Sequence, residues 1–196
     1  MRLVKVMRDA TKEITIDDFW AFVNLPENAD RWFELDNGEI IEMAPPSALH
    51  VRIVGLIFAA LHYYAKAHDL GFAFPDGCGY SLTNRKIVIP DVSFVAKNRL
   101  ILPLPQLLPL SPDLAIEVVS PSEKELMVFE KARTYLLNDT KIVWVVFPEN
   151  HSVYVCTLQA DKKLVVDILD KSMTLSGGDV LPNFSLPVAD IFPDDE

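Results

Sequence analysis

Apolar residues recur along the chain with two periods, and the switches between them mark the elements. Phe19, Trp20, Phe22 and Val23 form a short apolar group just after Thr15-Ile16-Asp17-Asp18. Thr15 stands where a helix N-cap would, and Asp18 takes the capping-box position with its charge near the positive end of the helix. The pattern predicts a short helix that ends before Pro26. Trp32-Phe33-Glu34-Leu35 and Glu39-Ile40-Ile41-Glu42-Met43 then flank Asp36-Asn37-Gly38. Asn-Gly between two strand-like runs predicts a hairpin, with Gly38 meeting the backbone demand of the turn. Pro45-Pro46 stops the second strand.

The period then changes. Leu49, Ile53, Leu56, Ile57, Ala60, Leu61 and Tyr64 fall on one helical stripe. Ser47 can cap this helix, which runs to about Asp69, and Gly71 fits the stop. The helix is apolar nearly all round, so it should pack on a sheet and on a second element. From Phe72 onward strands return: Ser81-Leu82-Thr83, a turn at Asn84-Arg85-Lys86, and a strand over 87–95 with Pro90-Asp91 inside it. Proline is tolerated at a strand edge or bulge, so the ladder should break there and re-aim a side chain. Residues 100–112 hold Pro103, Pro105, Pro109 and Pro112 among leucines and read as an irregular apolar loop. Such leucines need cover, either from the domain's own surface or from a second copy of the chain.

The run 114–119 is nearly continuous in apolar residues and predicts a buried central strand. Ser120-Pro121-Ser122 ends it and caps a helix over 123–138; 141–147 is a second buried strand, and 153–158 with 163–169 a hairpin. The tail reads as loop, then 188–192, then an acidic end.

Composition narrows the picture. The chain has 196 residues, half of them hydrophobic, and a net charge of −10. That is enough apolar material for one core, so a single domain is expected: an arm over 1–14, a core over 15–192 and an acidic tail over 193–196. The negative charge disfavours non-specific coating of nucleic acid, although a bound cation could reverse it locally. Arg2, Lys5, Arg8 and Lys12 make the arm locally basic, but a solvated end segment is the simpler reading. Cys78 and Cys156 form no disulfide framework or metal motif. The start is no signal peptide, and the longest uncharged runs, 53–65 and 100–112, fall short of a membrane span. A cytoplasmic protein without membrane contact is expected.

The candidate chemistry lies in three residues. Glu117 is a carboxylate inside an apolar strand, on the face shared with Ala115 and Val119. It must be protonated, paired with a cation, bound to a metal, or near enough to the strand's end to reach water. Asp91, at the broken strand, gains meaning as its partner. Two carboxylates at a common edge of adjacent strands can hold Mg²⁺ or Mn²⁺, which prefer oxygen ligands. Lys131 shares a helix face with Lys124, Met127, Val128 and Tyr135. It is either a solvated lysine or an ammonium aimed at the acids.

The blocks FELDNGEIIEMAPPSALH, VIPDVSFV, LAIEVVSPS, EKARTY, KIVWVV and LPNFSLPVADIF occur in this order. Together they resemble a large bacterial family of restriction-endonuclease-like proteins in the PD-(D/E)-x-K nuclease superfamily. The resemblance runs from about Thr15 to Phe192. It implies an α/β fold with a mixed, twisted sheet flanked by helices, an N-terminal helix-hairpin and a C-terminal hairpin. It implies a Mg²⁺- or Mn²⁺-dependent endonuclease acting on DNA, with Asp91 and Glu117 as metal ligands and catalytic residues. The motif lysine would fall at Val119 and is absent; Lys131 matches a lysine relocated to the next helix, with Tyr135 one turn on. Met127 replaces an acidic residue usual in relatives. Glu34 and His50 also match family blocks: Glu34 is either a further carboxylate near the metal or a surface strand residue, and His50 either faces the cleft or is structural. The alternative expectation is a catalytically degenerate binding or regulatory module on the same fold, in either case as a homodimer.

Overall fold

The computed structural model describes residues 14–43, 45–121 and 123–192, together with the backbone of 4–7. In chain order the elements are β1 (Val4–Met7), α1 (Ile16–Val23), β2 (Trp32–Asp36), β3 (Glu39–Met43), α2 (Ala48–Ala67), β4 (Gly71–Pro75), β5 (Tyr80–Thr83), β6 (Lys86–Val88) and β7 (Val92–Ala96). There follow β8 (Leu114–Val118), α3 (Glu125–Leu137), β9 (Ile142–Phe147), β10 (Ser152–Leu158), β11 (Leu164–Leu169), β12 (Thr174–Gly177) and β13 (Leu181–Pro187). Five strands form one sheet in the order β1-β3-β2-β6-β5, and six form another in the order β11-β10-β9-β8-β7-β4. β8 and β9 pair in parallel, joined across α3, while their other neighbours are antiparallel. This is the expected mixed α/β architecture.

The N-terminal part forms as its sequence directs. Thr15 and Asp18 close a reciprocal capping box on α1, and the helix stops at Val23. Asn37 and Gly38 both take positive φ, 49° and 79°, as the tight β2–β3 turn requires. Phe19 packs with Phe33, Leu35, Ile40 and Ile87 between α1 and the five-stranded sheet. Val4–Met7 departs from the solvated-arm expectation: its backbone pairs with β3 as an edge strand. Arg2, Arg8 and Lys12, and the acidic tail, lie outside the described residues.

Alternation along β8 divides the core. Leu114, Ile116 and Val118 face α2, whose Ile53, Ile57, Leu61 and Ala65 are buried against them. Ala115 and Val119 face α3 with Val128, Ala132 and Tyr135. α2 and α3 therefore cover opposite faces of the six-stranded sheet. α2 also packs on β13 and the 3-10 turn Val188–Ile191, the expected second element. Among the described residues α2 is long and apolar enough, by length and composition, to cross a membrane. Arg52 and Lys66 interrupt it near its ends, so its uncharged stretch alone, 53–65, falls short of a span.

Four local expectations need correction. Gly71 is not the α2 stop. Asp69 takes the left-handed position at φ 54°, and the Leu70 amide bonds back to the Ala65 carbonyl at 3.0 Å. That is a Schellman closure, in which a short polar side chain tolerates the backbone that glycine usually supplies. Gly71 begins β4 instead, where a Cβ would lie 2.1 Å from the Val95 carbonyl oxygen. The strand expected over 87–95 is two strands in two sheets, β6 and β7, and Pro90-Asp91 forms the crossing. Loop 100–112, by contrast, finds in part the cover expected from its own domain: Leu108 is buried and bonded to the backbone beside Tyr80, whereas Ile101, Leu102 and Leu104 stay exposed. α3 begins at Glu125 with Lys124 at the N-cap and no side-chain cap, because a turn from Ser120 to Glu123 intervenes. Finally, the tail is not loop. β12 and β13 form a two-stranded ribbon that buries Leu175, Leu181, Phe184 and Leu186 over α2. Its prolines fall where a two-stranded ribbon has no further ladder to break.

Candidate active site

The crossing at Pro90-Asp91 brings the two sheets together beside the end of β8. Asp91 precedes β7, Glu117 lies on β8, Glu34 on β2, and Lys131 and Tyr135 one turn apart on α3. His50 enters from the first turn of α2, which the Ser47 hydroxyl caps by accepting from the His50 amide at 3.2 Å. All six side chains expected at the site thus converge, and they do so from both sheets and two helices.

Their contacts form a chain of charge-assisted bonds. The Tyr135 hydroxyl donates to Glu117 Oε1 at 2.7 Å. Lys131 Nζ lies 3.0 Å from Glu117 Oε2 and donates to Glu34 Oε1 at 3.2 Å. The Val118 amide donates to Asp91 Oδ2 at 2.6 Å, and His50 Nε2 lies 3.1 Å from Asp91 Oδ1. Glu117 is buried, with 8% of its surface exposed, so it does not reach water at a strand end. Lys131 is likewise not a solvated lysine, and Glu34 is not a surface strand residue: its carboxylate is committed to Lys131.

The site opens as a cleft of about 170 Å³ whose lining includes Trp32, Phe33, Val118 and Ser120. Asp76 also lines it, and the sequence reading missed that residue. Asp76-Gly77 follows β4 and reads locally as an ordinary turn, so only the fold reveals its place. The cleft gathers Glu34, Asp76, Asp91, Glu117 and Glu123 around Lys131 and His50, an excess of acid.

The electrostatic consequences follow from burial. Loss of hydration pushes the Glu117 carboxyl up to about 8; the Asp91 and Glu34 charges add to this, while Lys131 and the Tyr135 bond oppose it. Burial also raises Glu34, against the pull of Lys131. Burial raises Asp76, and the neighbouring Asp91 charge adds to it. Burial works against a charged Lys131, but Glu117, Glu34 and Asp91 outweigh it and hold the ammonium well above its usual range. For His50, burial opposes the charged ring, and the bond and charge of Asp91 outweigh it.

The sequence model of the family described as "Uma2: Putative restriction endonuclease" matches residues 19–189. The chain belongs to the Uma2 family. A solved structure titled "Crystal structure of a putative nuclease belonging to DUF820 from Anabaena variabilis ATCC 29413" is similar to this Uma2-family fold, with a TM-score of 0.75 and 21% identity. The match covers 91% of this chain and 97% of that one. No curated protein matches the chain.

Among the described residues no group of three or more His, Cys, Asp or Glu side chains is placed to hold a metal ion. The Uma2-family site offers instead a pair of carboxylates, Asp91 and Glu117, within an acidic cleft. This donor set fits a hard divalent cation of the Mg²⁺ type, which commonly takes one or two carboxylates and keeps its waters. The surplus of acid over base fits it too, because a cation would offset both the burial that chiefly keeps Glu117 hard to ionise and the smaller repulsion from Asp91 and Glu34.

Proposed function

We propose that this chain is a Mg²⁺- or Mn²⁺-dependent endonuclease that hydrolyses DNA phosphodiester bonds at the Asp91–Glu117–Lys131 cleft. The observation that carries the reading is Lys131, whose ammonium is held between Glu117 and Glu34 at the mouth of the acidic pair. An ammonium so fixed can orient an attacking water and offset charge that develops on a phosphoryl group. Asp91 and Glu117 would hold the metal. When bound, a divalent ion lowers the pKa of a coordinated water and neutralises phosphoryl charge.

The remaining residues prepare those groups. The Val118 amide and His50 fix the two oxygens of Asp91. Tyr135 fixes Glu117 Oε1, leaving Oε2 toward Lys131. Glu34 anchors the far side of the ammonium, so that Lys131 cannot swing into solvent. Glu117 must give up its proton for the site to take a cation, which links metal affinity to pH.

A second reading, a nuclease-fold module that binds without cleaving, draws on the closed contacts of both Glu117 oxygens. Titration of Mg²⁺ and Mn²⁺ into wild type and Asp91→Asn by calorimetry, beside incubation with supercoiled plasmid, separates the two. Metal binding with EDTA-reversible nicking, both lost in Asp91→Asn, supports the endonuclease. Metal binding without nicking supports the module, and neither binding nor nicking sinks both. The reading includes a homodimer built on the exposed Ile101, Leu102 and Leu104; a monomer by sizing with light scattering would overturn that part.

A further inference from the structure

The cleft has an aromatic neighbour. Trp32 begins β2 two residues before Glu34, on the same face of the strand, and is 59% exposed. An indole exposed to this extent beside a cleft leaves a ring face open to a guest. Trp32 lines the acidic cleft on one side and, on the other, a second cavity of about 470 Å³. Trp32, Phe33 and Ile89 are common to both, so the two spaces are adjoining rooms with one partition.

The second cavity is lined mainly by apolar and aromatic residues, with Asp30, Arg31 and Gln106 as its polar ones. Its walls include Phe19, Trp20, Val23 and Leu107, and Gly77 and Gly79 lie at its lining. A Cβ at Gly79 would meet Leu107 at 2.7 Å, so a side chain there would press on this wall. Arg31 borders the cavity but carries no spare charge for a phosphate. It makes a two-pronged bond to Glu42 at 2.7 and 2.5 Å and a third to Asn28 at 2.8 Å. Its guanidinium lies 5.0 Å from the Phe33 ring centroid, adding a flat edge to the aromatic wall. Gln106 brings an amide that can both donate and accept at the edge of a guest.

Charge decides the occupant. The chain carries −10 and the cleft is acidic, so the counterion-release term that drives duplex binding is weak here. A nucleic acid must be held by contacts that do not need backbone charge, and stacking of bases on aromatic rings is the strongest such contact. A duplex hides its base faces, whereas an unpaired strand presents them. We propose that the Trp32 cavity receives an unpaired nucleobase next to the scissile phosphate, so that single-stranded or locally unpaired DNA is the substrate class. This rests on the endonuclease reading for its phosphate, but not for its base.

The test measures binding of a short oligothymidylate, an abasic strand of equal length and a blunt duplex in EDTA, by anisotropy of an end label, on the full chain. Wild type should bind the oligothymidylate at least tenfold more tightly than the abasic strand or the duplex. Trp32→Ala should lose about tenfold in affinity for the oligothymidylate alone, and Trp32→Phe should recover most of it. Unchanged circular dichroism and melting of Trp32→Ala establish that it folds; if it does not, Gly79→Leu, which fills the cavity and leaves the indole, replaces it with the same expected loss. Equal binding of abasic and base-bearing strands, or no loss in the variants, overturns the inference. So does a Trp32→Ala protein that changes only its oligomeric state, since the guest would then be a second copy. Plasmid nicking is read separately: nicking without base preference fails this inference alone, and base-dependent binding without nicking fails the endonuclease reading alone.

Discussion

Lys131 Nζ stands 3.0 Å from Glu117 Oε2, although one is carried by α3 and the other by the central strand β8. Just past the strand the chain has Val119 where the superfamily pattern has its lysine. The helix that crosses over from β8 to β9 therefore delivers the cation that the strand lacks, and Tyr135, one turn on, fixes the same carboxylate. Distance along the chain is irrelevant to such a site; what matters is that the helix returns over the strand it left.

Lys131→Met should remove this cation and leave Glu117 and Glu34 buried together. Breaking a fully ionised buried pair costs about 3–5 kcal/mol; because Glu117 already holds its proton at neutral pH, roughly 2 kcal/mol is expected, chiefly from Glu34 left without its cation. Urea denaturation at neutral pH measures it. If nicking is present in wild type, it should fall about 100-fold or more in the variant, as when a preorganised charge is deleted from a reacting site. A variant as stable and as active as wild type would remove Lys131 from the site.

The raised Glu117 carboxyl sets a pH dependence. In the unfolded chain it ionises near its ordinary value of 4.5, while in the folded chain it holds its proton up to about 8. Between those values the unfolded state binds fewer protons, so this group makes stability fall as pH rises across the window. Glu34 and Asp76, also raised, act in the same direction. Glu117→Gln should gain stability relative to wild type between about pH 5 and about pH 8 in metal-free buffer, by urea midpoints. Parallel profiles would mean that Glu117 is ionised throughout.

Tyr135→Phe deletes the hydroxyl that donates to Glu117 Oε1 at 2.7 Å and leaves a buried acceptor short of one bond. The expected loss is about 1–3 kcal/mol by chemical denaturation. A change within error would place water or another donor on that oxygen.

Two glycines should respond in opposite senses to alanine. At Gly71, φ is 150° and the new Cβ would lie 2.1 Å from the Val95 carbonyl oxygen and 2.9 Å from Ala96 Cα. Backbone on both sides of β4 would have to move, and a loss of about 3 kcal/mol or more is expected. Gly55 lies on an exposed part of α2 with nothing within 4 Å of its Cβ site, so alanine there should gain up to about 1 kcal/mol in helix propensity. Thermal melts of the two variants give the comparison directly.

Where the sequence was legible, the signal was local and redundant. The capping box at Thr15 and Asp18, the Asn37-Gly38 hairpin and the continuous apolar run of β8 each fix their own geometry. The polar interruption at Glu117 stood out because its strand had no other reason to carry charge. What escaped was set by distant partners. No local feature says that Ile87 and Val92, five residues apart, join different sheets, because that depends on β2 and β8. The tail read as loop, yet β12 and β13 form a two-stranded ribbon, where Pro182 and Pro187 leave no third strand short of a donor. Asp76 sits in a turn whose sequence explains it completely, and its cleft position comes only from the way β4 ends beside Asp91. Asp69 takes the left-handed position while Gly71 serves the close approach to β7, and that approach depends on a strand more than twenty residues away.

The most direct measurement is a time course of DNA nicking with Mg²⁺ or Mn²⁺ by wild type and Glu117→Ala purified side by side, on supercoiled and single-stranded substrates. Metal-dependent cleavage by wild type that vanishes in Glu117→Ala is the expected result. Equal cleavage by the two proteins, or none by wild type on either substrate while Glu117→Ala remains folded, would contradict a phosphodiesterase centre at Asp91, Glu117 and Lys131.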